Sequence, residues 1–312
     1  MSALLAIGEA MLVLRGTSPG VLMPGSQFVT SIAGAEATVA IGVARFGHTA
    51  SFAGRVGDDD SGDLVRRVLA GEGVNVDHLR TDPSRPTGEM RRYARVWSTS
   101  TVTYHRRGSA ASMLTADDIL PAMTTDTRIL HVTGITQALG DSAAAAVETV
   151  IAAARERGIL VAYDVNHRTR LISVEEAGRR LARILPQIDI LFCGEDELHV
   201  LQAATDSHHP IQAAGVTELI IKQSAAGATC HADDGAHHAP AVPVPLVDPV
   251  GAGDAFAAGY LSAVLDDLPV PARLTRATHF AAFTITTPGD WEGLPHHRDL
   301  ALLTSPQGTT FR

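Results

Sequence analysis

The stretch DPVGAGDAFAAGYL, residues 248–261, joins a glycine turn to the start of a helix. The turn at residues 251–253 lets the backbone approach a ligand closely, because glycine has no side chain. Small and apolar residues at helical spacing then predict a helix over residues 252–265. The free N–H groups of a helix start attract anions, yet Asp254 places a carboxylate in that first turn. The pattern indicates either an aspartate that faces a hydroxyl or one that caps an ordinary helix.

Composition excludes several classes of function. The chain has 312 residues, a formal net charge of −9 and no basic block, so we expect no nucleic acid as a partner. Charges interrupt every apolar run well before the roughly 18 residues of a membrane helix, so no membrane partner is expected. The N-terminus is interpreted as a buried strand, not a signal peptide. Two distant cysteines, Cys193 and Cys230, indicate a reducing compartment, and we expect a cytoplasmic protein.

Short apolar segments alternate with helical patterns through most of the chain. Strands are predicted at residues 3–8, 48–54, 129–133, 160–163, 188–192 and 219–222. Helices are predicted at residues 31–47, 61–70, 142–156, 174–185, 195–202, 252–265 and 273–284, with Asp60 or Ser61 capping the second. Such β–α repeats predict a three-layer α/β/α sandwich with a mainly parallel central sheet, in one domain over residues 1–312.

Two segments depart from this alternation. Residues 9–31 mix apolar residues with glycine and proline, and residues 85–107 alternate polar and apolar side chains, as in a hairpin exposed on one face. We expect the two segments to pair as a small β-sheet lid. Pairing of two subunits would cover the exposed edges of such a lid, so a homodimer or higher homo-oligomer is expected.

The string D-x-x-G-A-G-D-x-F, ending at Phe256, resembles the C-terminal signature of the ribokinase-like (PfkB) family of carbohydrate kinases. In that family the last aspartate is the catalytic base, and the preceding amides form an anion hole for the transferring phosphoryl group. The resemblance implies a ribokinase-like fold, ATP as co-substrate and Mg²⁺. By this match the catalytic groups are Asp254 and the amides of Gly251, Ala252 and Gly253.

Three further segments resemble substrate motifs. AGAEATVA, residues 33–40, resembles a G-G-x-x-x-N-x-A sugar turn, although Ala33 replaces a glycine and the segment alone equally fits a buried helix. TYHRRGSAAS, residues 103–112, and DVNHR, residues 164–168, resemble segments of 2-keto-3-deoxygluconate (KDG) kinases, whose arginines bind the sugar acid. A guanidinium can bind a carboxylate through two charge-assisted hydrogen bonds. The implied substrate contacts are Gly34, Thr38, Tyr104, Arg106, Asn166, Arg168 and Asp254.

Three segments resemble the nucleotide side of the family. CGEDEL, residues 193–198, resembles an N-x-x-E motif with Gly194 in place of asparagine, which implies that Glu197 positions Mg²⁺ through water. IIKQSAAGATC, residues 220–230, resembles a strand followed by a G-x-x-G turn. It includes Lys222, the only lysine among 25 basic residues, and this usage favours a position where a compact point charge is needed and an arginine fork is not suitable. A third stretch, ITTPGDWEGLP at residues 285–295, resembles the nucleotide-side loop of KDG-kinase-like members. The implied nucleotide contacts are Lys222, Ser224, Gly227, Gly251, Gly253 and Gly289.

The resemblance as a whole implies an ATP-dependent sugar kinase that converts KDG to its 6-phosphate. Two alternatives stay open. Departures from the family pattern at Thr38 and His105 leave room for a neutral-sugar kinase acting on fructose or ribose. Those at Ala33, Thr38, Gly194 and Ser224 leave room for a non-catalytic regulator that binds sugar or nucleotide.

Overall fold

In the part of the chain that the structure describes, the strands form two sheets. The computed structural model describes residues 2–18, 20–94, 100–299 and 302. Within these ranges the strands are β1 (Leu4–Ile7), β2 (Met11–Gly16), β3 (Phe28–Ala33), β4 (Ala50–Gly57), β5 (Leu79–Asp82), β6 (Glu89–Ala94), β7 (Ser100–His105), β8 (Ile129–Thr133), β9 (Leu160–Asp164), β10 (Ile190–Gly194), β11 (Glu218–Lys222), β12 (Ala228–Ala232) and β13 (Gly235–Ala239).

The larger sheet has nine strands in the order β13-β12-β11-β10-β9-β8-β1-β4-β5. From β11 to β5 every pairing is parallel, and β12 and β13 extend the β11 edge in antiparallel fashion. Parallel strands require crossover connections, which here are helices. The parallel strands therefore all end at one edge of the sheet, where ligands of such folds bind.

Helices cover both faces of this sheet. They are α1 (Ala35–Arg45), α2 (Asp60–Gly71), α3 (Ala116–Ile119), α4 (Gly134–Ala138), α5 (Asp141–Glu156), α6 (Val174–Ile184), α7 (Leu198–Thr205), α8 (Pro210–Ala213), α9 (Ala252–Leu265) and α10 (Val270–Thr284). One core contains residues of α1, α2, α9 and α10, and the other contains residues of α5, α6 and α7. The central strands supply both cores because successive side chains point to opposite faces. In β1, for example, Leu4 faces the first core and Leu5 the second.

The smaller sheet is the lid. Its order is β3-β2-β6-β7, so the segments that precede α1 and α3 pair through β2 and β6. Met11, Val13, Ala33 and Met90 are the buried apolar residues of its inner face. Residues 95–99 of the predicted hairpin lie outside the described residues.

The predicted fold class is confirmed: three layers, a mainly parallel sheet and a separate β lid. The predicted N-cap of α2 is wrong. Asp59 caps the helix, and its side chain accepts a hydrogen bond from the Gly62 N–H at 2.8 Å. Strands β5, β12 and β13 did not emerge from the sequence pattern. Among the described residues, no helix is long and apolar enough to cross a membrane.

Candidate active site

A cavity of about 950 Å³ lies between the lid and the carboxyl ends of the parallel strands. This volume is in the usual range for small-molecule sites. Its wall is formed by residues at or just after the ends of strands β9, β10 and β11, by the start of α9 and by the inner face of the lid. Most of the predicted site residues line it, namely Gly34, Tyr104, Arg106, Asn166, Arg168, Glu197, Lys222, Ser224, Gly227, Gly251, Ala252, Gly253 and Asp254.

Asp254 lies in the first turn of α9, partly buried in the cavity wall. Burial raises the pKa of its carboxyl to about 6, and the negative charge of Asp164 adds to the effect. Lys222 and Arg168 act in the opposite direction, as does the Asn166 amide, which donates to Asp254 Oδ1 at 3.0 Å. A carboxylate with a pKa just below neutrality is suited to accept a proton at physiological pH.

The turn before α9 depends on Gly251. This residue has φ 77°, in the left-handed region that glycine tolerates best. A methyl group there would also overlap the carbonyl oxygen of Asp290. The turn leads directly into the first N–H groups of α9, which have no acceptor within the helix. Of these, the Ala252 N–H makes a long 3.4 Å contact to the Pro249 carbonyl, so the other amides are better placed for an anion.

Asn166 follows β9 with φ 38°. Asparagine adopts this left-handed conformation more readily than most residues. The conformation turns the chain after Asp164, and the Asn166 side chain then reaches Asp254. Asn166 of the DVNHR segment therefore lines the cavity and also orients the Asp254 carboxylate.

Lys222 is held at the end of β11 by Asp164. Its ammonium lies 2.9 Å and 2.7 Å from the two carboxylate oxygens. Burial opposes its charge, but the fields of Asp164 and Glu197 prevail and raise the pKa of Lys222. The ammonium also lies 3.4 Å from where a side chain would begin at Gly253. The charge is therefore fixed beside the anion-binding turn.

Glu197 connects two strand ends. Its carboxylate accepts hydrogen bonds from the Gly194 N–H and the His167 N–H, each at 2.7 Å. Burial raises the pKa of Glu197, and the charge of Asp164 raises it further. At Gly194 a side chain would begin 2.5 Å from the Asp196 carboxylate. In this chain the Asp196 carboxylate occupies part of the space that an asparagine at Gly194 would need.

Arg106 forms an ion pair that the sequence pattern did not indicate. Its guanidinium binds the carboxylate of Glu9, with Nε–Oε2 at 2.7 Å, and the Ser109 hydroxyl donates to the other Glu9 oxygen at 2.6 Å. Both charged side chains are at least nine-tenths buried. Tyr104 lies under the same guanidinium, 5.6 Å from ring centre to Cζ. Arg106 therefore lines the cavity with its charge already neutralised.

Arg168 differs from the other cavity cations. Its side chain is exposed, and its Nη1 donates a hydrogen bond to the neighbouring His167 carbonyl at 3.2 Å. In the described ranges it forms no ion pair, whereas Arg92, Arg106 and Lys222 each bind a carboxylate. Its field reaches Asp254 and lowers the pKa of that carboxyl. It is thus available for a negatively charged ligand near Asp254.

Comparison with known proteins decides the family. The profile of the pfkB family carbohydrate kinases matches residues 1–297. The chain belongs to this family. A 2-dehydro-3-deoxygluconokinase of Thermoproteus tenax is 33% identical over 306 residues, which cover 96% of this chain and 93% of that protein. A fructokinase of Escherichia coli is 30% identical over 305 residues, covering 94% and 96%.

A solved structure extends the comparison to three dimensions. The crystal structure of a PfkB protein from Polaromonas sp. JS666 has a TM-score of 0.83 and 30% identity, and the match covers 97% of this chain and 99% of that one. The predicted family is therefore confirmed. As a pfkB carbohydrate kinase, the protein is a phosphotransferase that acts on a sugar hydroxyl.

Two predicted contacts of this kinase lie away from the cavity wall. Thr38 is 2% exposed within α1 and is not among the lining residues. Gly289 lies behind its neighbour Asp290, which lines the cavity, and the Gly289 N–H donates to Asp248 at 3.0 Å. Ser224, where the family pattern has glycine, has φ 51° and so keeps the backbone conformation that glycine favours.

The sequence pattern missed two buried carboxylates of the kinase site. Glu9 follows β1 and binds Arg106, as described above. Glu36, in the first turn of α1, accepts hydrogen bonds from the hydroxyls of Thr133 at 2.8 Å and Thr136 at 2.5 Å, and burial raises its pKa to about 7. Both residues lie at the carboxyl edge of the sheet, and an acidic residue at the end of a buried strand is the signal that could have found Glu9.

Two acidic residues of the cavity wall could hold Mg²⁺. Asp196 and Glu197 present carboxylate oxygens to the cavity, and Mg²⁺ prefers oxygen ligands and keeps several waters. Among the described residues, no cluster of three or more potential ligands could enclose a metal ion.

Proposed function

We propose that this kinase transfers the γ-phosphate of ATP to the primary hydroxyl of a sugar acid, 2-keto-3-deoxygluconate, and forms the 6-phosphate. The choice of substrate rests on Arg168, which lines the cavity as an exposed cation without an acidic partner in the described ranges. A carboxylate on the sugar would supply that partner. The similarity to the T. tenax 2-dehydro-3-deoxygluconokinase supports the same substrate.

The proposed chemistry begins at Asp254. The sugar oxygen attacks the γ-phosphorus, the bond from that phosphorus to the ADP oxygen breaks, and the hydroxyl proton passes to the Asp254 carboxylate. The hydrogen bond from Asn166 fixes the orientation of the carboxylate. A pKa of about 6 keeps Asp254 ionised at neutral pH.

Charge on the transferring group is stabilised by fixed donors. We assign the amides of Gly251, Gly253 and Asp254 to the phosphoryl oxygens, with the Lys222 ammonium beside them. Such preorganised donors contribute most where water is excluded. Gly34, Tyr104, Arg106 and Arg168 surround the sugar, and Ser224 and Gly227 border the nucleotide. When bound with ATP, Mg²⁺ would neutralise phosphate charge, and Asp196 and Glu197 would hold it through water.

We treat the chain as one kinase domain, with lid segments at residues 9–31 and 85–107, that acts as a homo-oligomer through its lid. Val21, Leu22 and Met23, in the connection between β2 and β3, are 58% to 68% exposed, and apolar surface of this kind is covered when subunits pair. The location is the cytoplasm, in keeping with two buried cysteines that are not disulfide-bonded.

The test is an ADP-release assay on the purified protein with a panel of sugar acids and neutral sugars. We expect KDG to give the highest kcat/KM, with fructose at least about tenfold lower. In Arg168→Met the value for KDG falls at least about tenfold, the scale of a lost charge-assisted hydrogen bond, while the value for fructose changes less than about threefold. Arg179→Met, on the exposed surface of α6, is the matched control and leaves both values unchanged.

A second candidate is a neutral-sugar kinase. The ion pair between Glu9 and Arg106 favours it, because it removes one of the two predicted carboxylate ligands. Equal losses for KDG and fructose in Arg168→Met, or a higher kcat/KM for fructose, would establish it. Absence of ADP release with every sugar, together with measured binding of a sugar or of ATP, would instead favour the non-catalytic regulator.

A further inference from the structure

Arg92 forms a contact between the lid and the turn before α9. It lies on β6, is 6% exposed, and its side chain points into the cavity side of the lid. One guanidinium nitrogen, Nη2, forms an ion pair with Oδ1 of Asp248, which lies 156 residues further along the chain. The Asp248 side chain is 5% exposed. A buried pair of this kind has its two charges locked together, because neither can recover hydration where it lies.

Asp248 also holds the turn before α9 in place, through hydrogen bonds to the two segments that flank it. Its carboxylate accepts a hydrogen bond from the Val250 N–H at 3.2 Å and another from the Gly289 N–H at 3.0 Å. Burial opposes the charge of Asp248, but the bonds from Arg92 and from these amides outweigh it and hold the pKa below its usual value. The next glycine, Gly251, packs without space against the Asp290 carbonyl. Movement of the Asp248 carboxylate would therefore displace the turn.

Arg92 also retains an unused donor. Its Nη1 is buried and has no hydrogen-bond partner among the described residues. Burying a donor without a partner costs free energy. A residue that only filled the lid core would not need a guanidinium, because an apolar side chain would avoid the cost of burying that donor. The arrangement is explained if the ion pair itself is the purpose of the residue.

Resting on the proposed kinase function, we propose that Arg92 is a positioning residue for phosphoryl transfer: it couples the lid to the turn that binds the phosphoryl group. Tyr104 lies on β7, the strand adjacent to β6, and Arg106 directly follows that strand; both line the cavity where the sugar is proposed to bind. Through Arg92 and Asp248, the position of the sugar-binding sheet sets the geometry of the phosphate-binding amides. Such coupling is reciprocal, so nucleotide at the turn also orders the lid.

The test combines kinetics with hydrogen exchange on the full-length protein. We compare wild type, Arg92→Gln and Arg92→Lys, with Arg91→Gln as the matched control because Arg91 is exposed on the same strand. In Arg92→Gln we expect kcat to fall at least about tenfold with the KM for ATP within about threefold. Arg92→Lys, which keeps the charge, recovers part of the loss, and Arg91→Gln resembles wild type.

Hydrogen exchange gives a readout that a merely structural role would not move. In wild type, a non-hydrolysable ATP analogue slows exchange in residues 248–254 and also in β6. In Arg92→Gln the analogue slows exchange in residues 248–254 alone. If Arg92→Gln does not fold, Arg92→Lys and Asp248→Asn replace it, and loss of slowing in β6 in either variant supports the coupling.

Two outcomes separate this inference from the proposed function. An active wild type together with an Arg92→Gln variant that keeps its kcat and the slowing in β6 overturns the coupling. A wild type that phosphorylates no sugar but shows slowing in both segments, lost from β6 in Arg92→Gln, overturns the proposed function and supports the coupling.

Discussion

Replacement of Asp254 by asparagine should lower activity and raise stability together. In the folded protein the pKa of Asp254 is raised from 3.8 to about 6, chiefly by burial. A difference of about two pKa units corresponds to about 3 kcal/mol, the upper limit of what ionising this carboxyl costs the folded state. Since asparagine has no charge to bury and a similar shape, Asp254→Asn should gain about 1–3 kcal/mol of unfolding free energy at pH 8.

The sign of the effect depends on pH. A carboxyl whose pKa is higher in the folded state contributes stability below its unfolded pKa, and that contribution is lost as pH rises through the folded pKa. The advantage of Asp254→Asn should therefore be full above about pH 7, smaller at pH 5 and absent only below the unfolded pKa, at about pH 3. Urea unfolding at these pH values measures it, with Asp233→Asn, in the exposed turn between β12 and β13, as the control.

Activity is measured on the same samples by ADP release. Loss of a general base lowers kcat by at least about a hundredfold, and Asp233→Asn should match wild type. Turnover by Asp254→Asn within about threefold of wild type would refute the role of Asp254 as base. A variant that is less stable than wild type at pH 8, yet equal to it near pH 3, would refute the argument from burial.

Three other predictions concern the same turn. For wild type, kcat/KM should fall tenfold per pH unit below about pH 6, because the base must be ionised; a profile flat to pH 5 would contradict this. Lys222→Arg should lower kcat at least about tenfold, because a guanidinium is broader than the ammonium that fits between Asp164 and Gly253 and would place its charge differently; ADP release measures it, and wild-type kcat would contradict it. Gly251→Ala should lose about 2 kcal/mol or more in urea unfolding, because of its positive φ and the overlap with Asp290; an unchanged midpoint would contradict this.

The alternation of strands and helices could be predicted where local patterns are strong. The predicted bounds of β8 and α9 agree with the structure at both ends, because an apolar run and a helix start with glycine are local signals. β12 and β13 were missed since ATCHA and GAHHA contain few residues that favour strands. The turn that joins them, Asp233 to Gly235, did carry the Asp-Gly signal of a hairpin.

The site shows a different limit. Most of the residues singled out by the motifs line the cavity, because each motif is a local arrangement of strand end and turn, whereas Thr38 and Gly289 do not line it. The motifs did not predict which charges neutralise each other. Glu9 and Arg106 are 97 residues apart, and Asp164 and Lys222 are 58 apart. Such pairs depend on how the strands are ordered in the sheet, and no local pattern contains that order.

These pairings bear on substrate choice. Because Arg106 is neutralised by Glu9, a sugar carboxylate would rely on Arg168 alone for an unpaired cation in the described ranges. Arg168 is exposed, so water solvates it when a neutral sugar is bound, and little free energy is lost. The preference between the two substrates thus comes from binding free energy gained with the sugar acid, and not from free energy lost with the neutral sugar. A gain of about 1.5–3 kcal/mol for a charge-assisted hydrogen bond gives a preference of roughly ten- to a hundredfold. If the proposed substrate is right, the kinase should prefer the acid and still accept neutral sugars slowly, so the kcat/KM values of the substrate panel test this account.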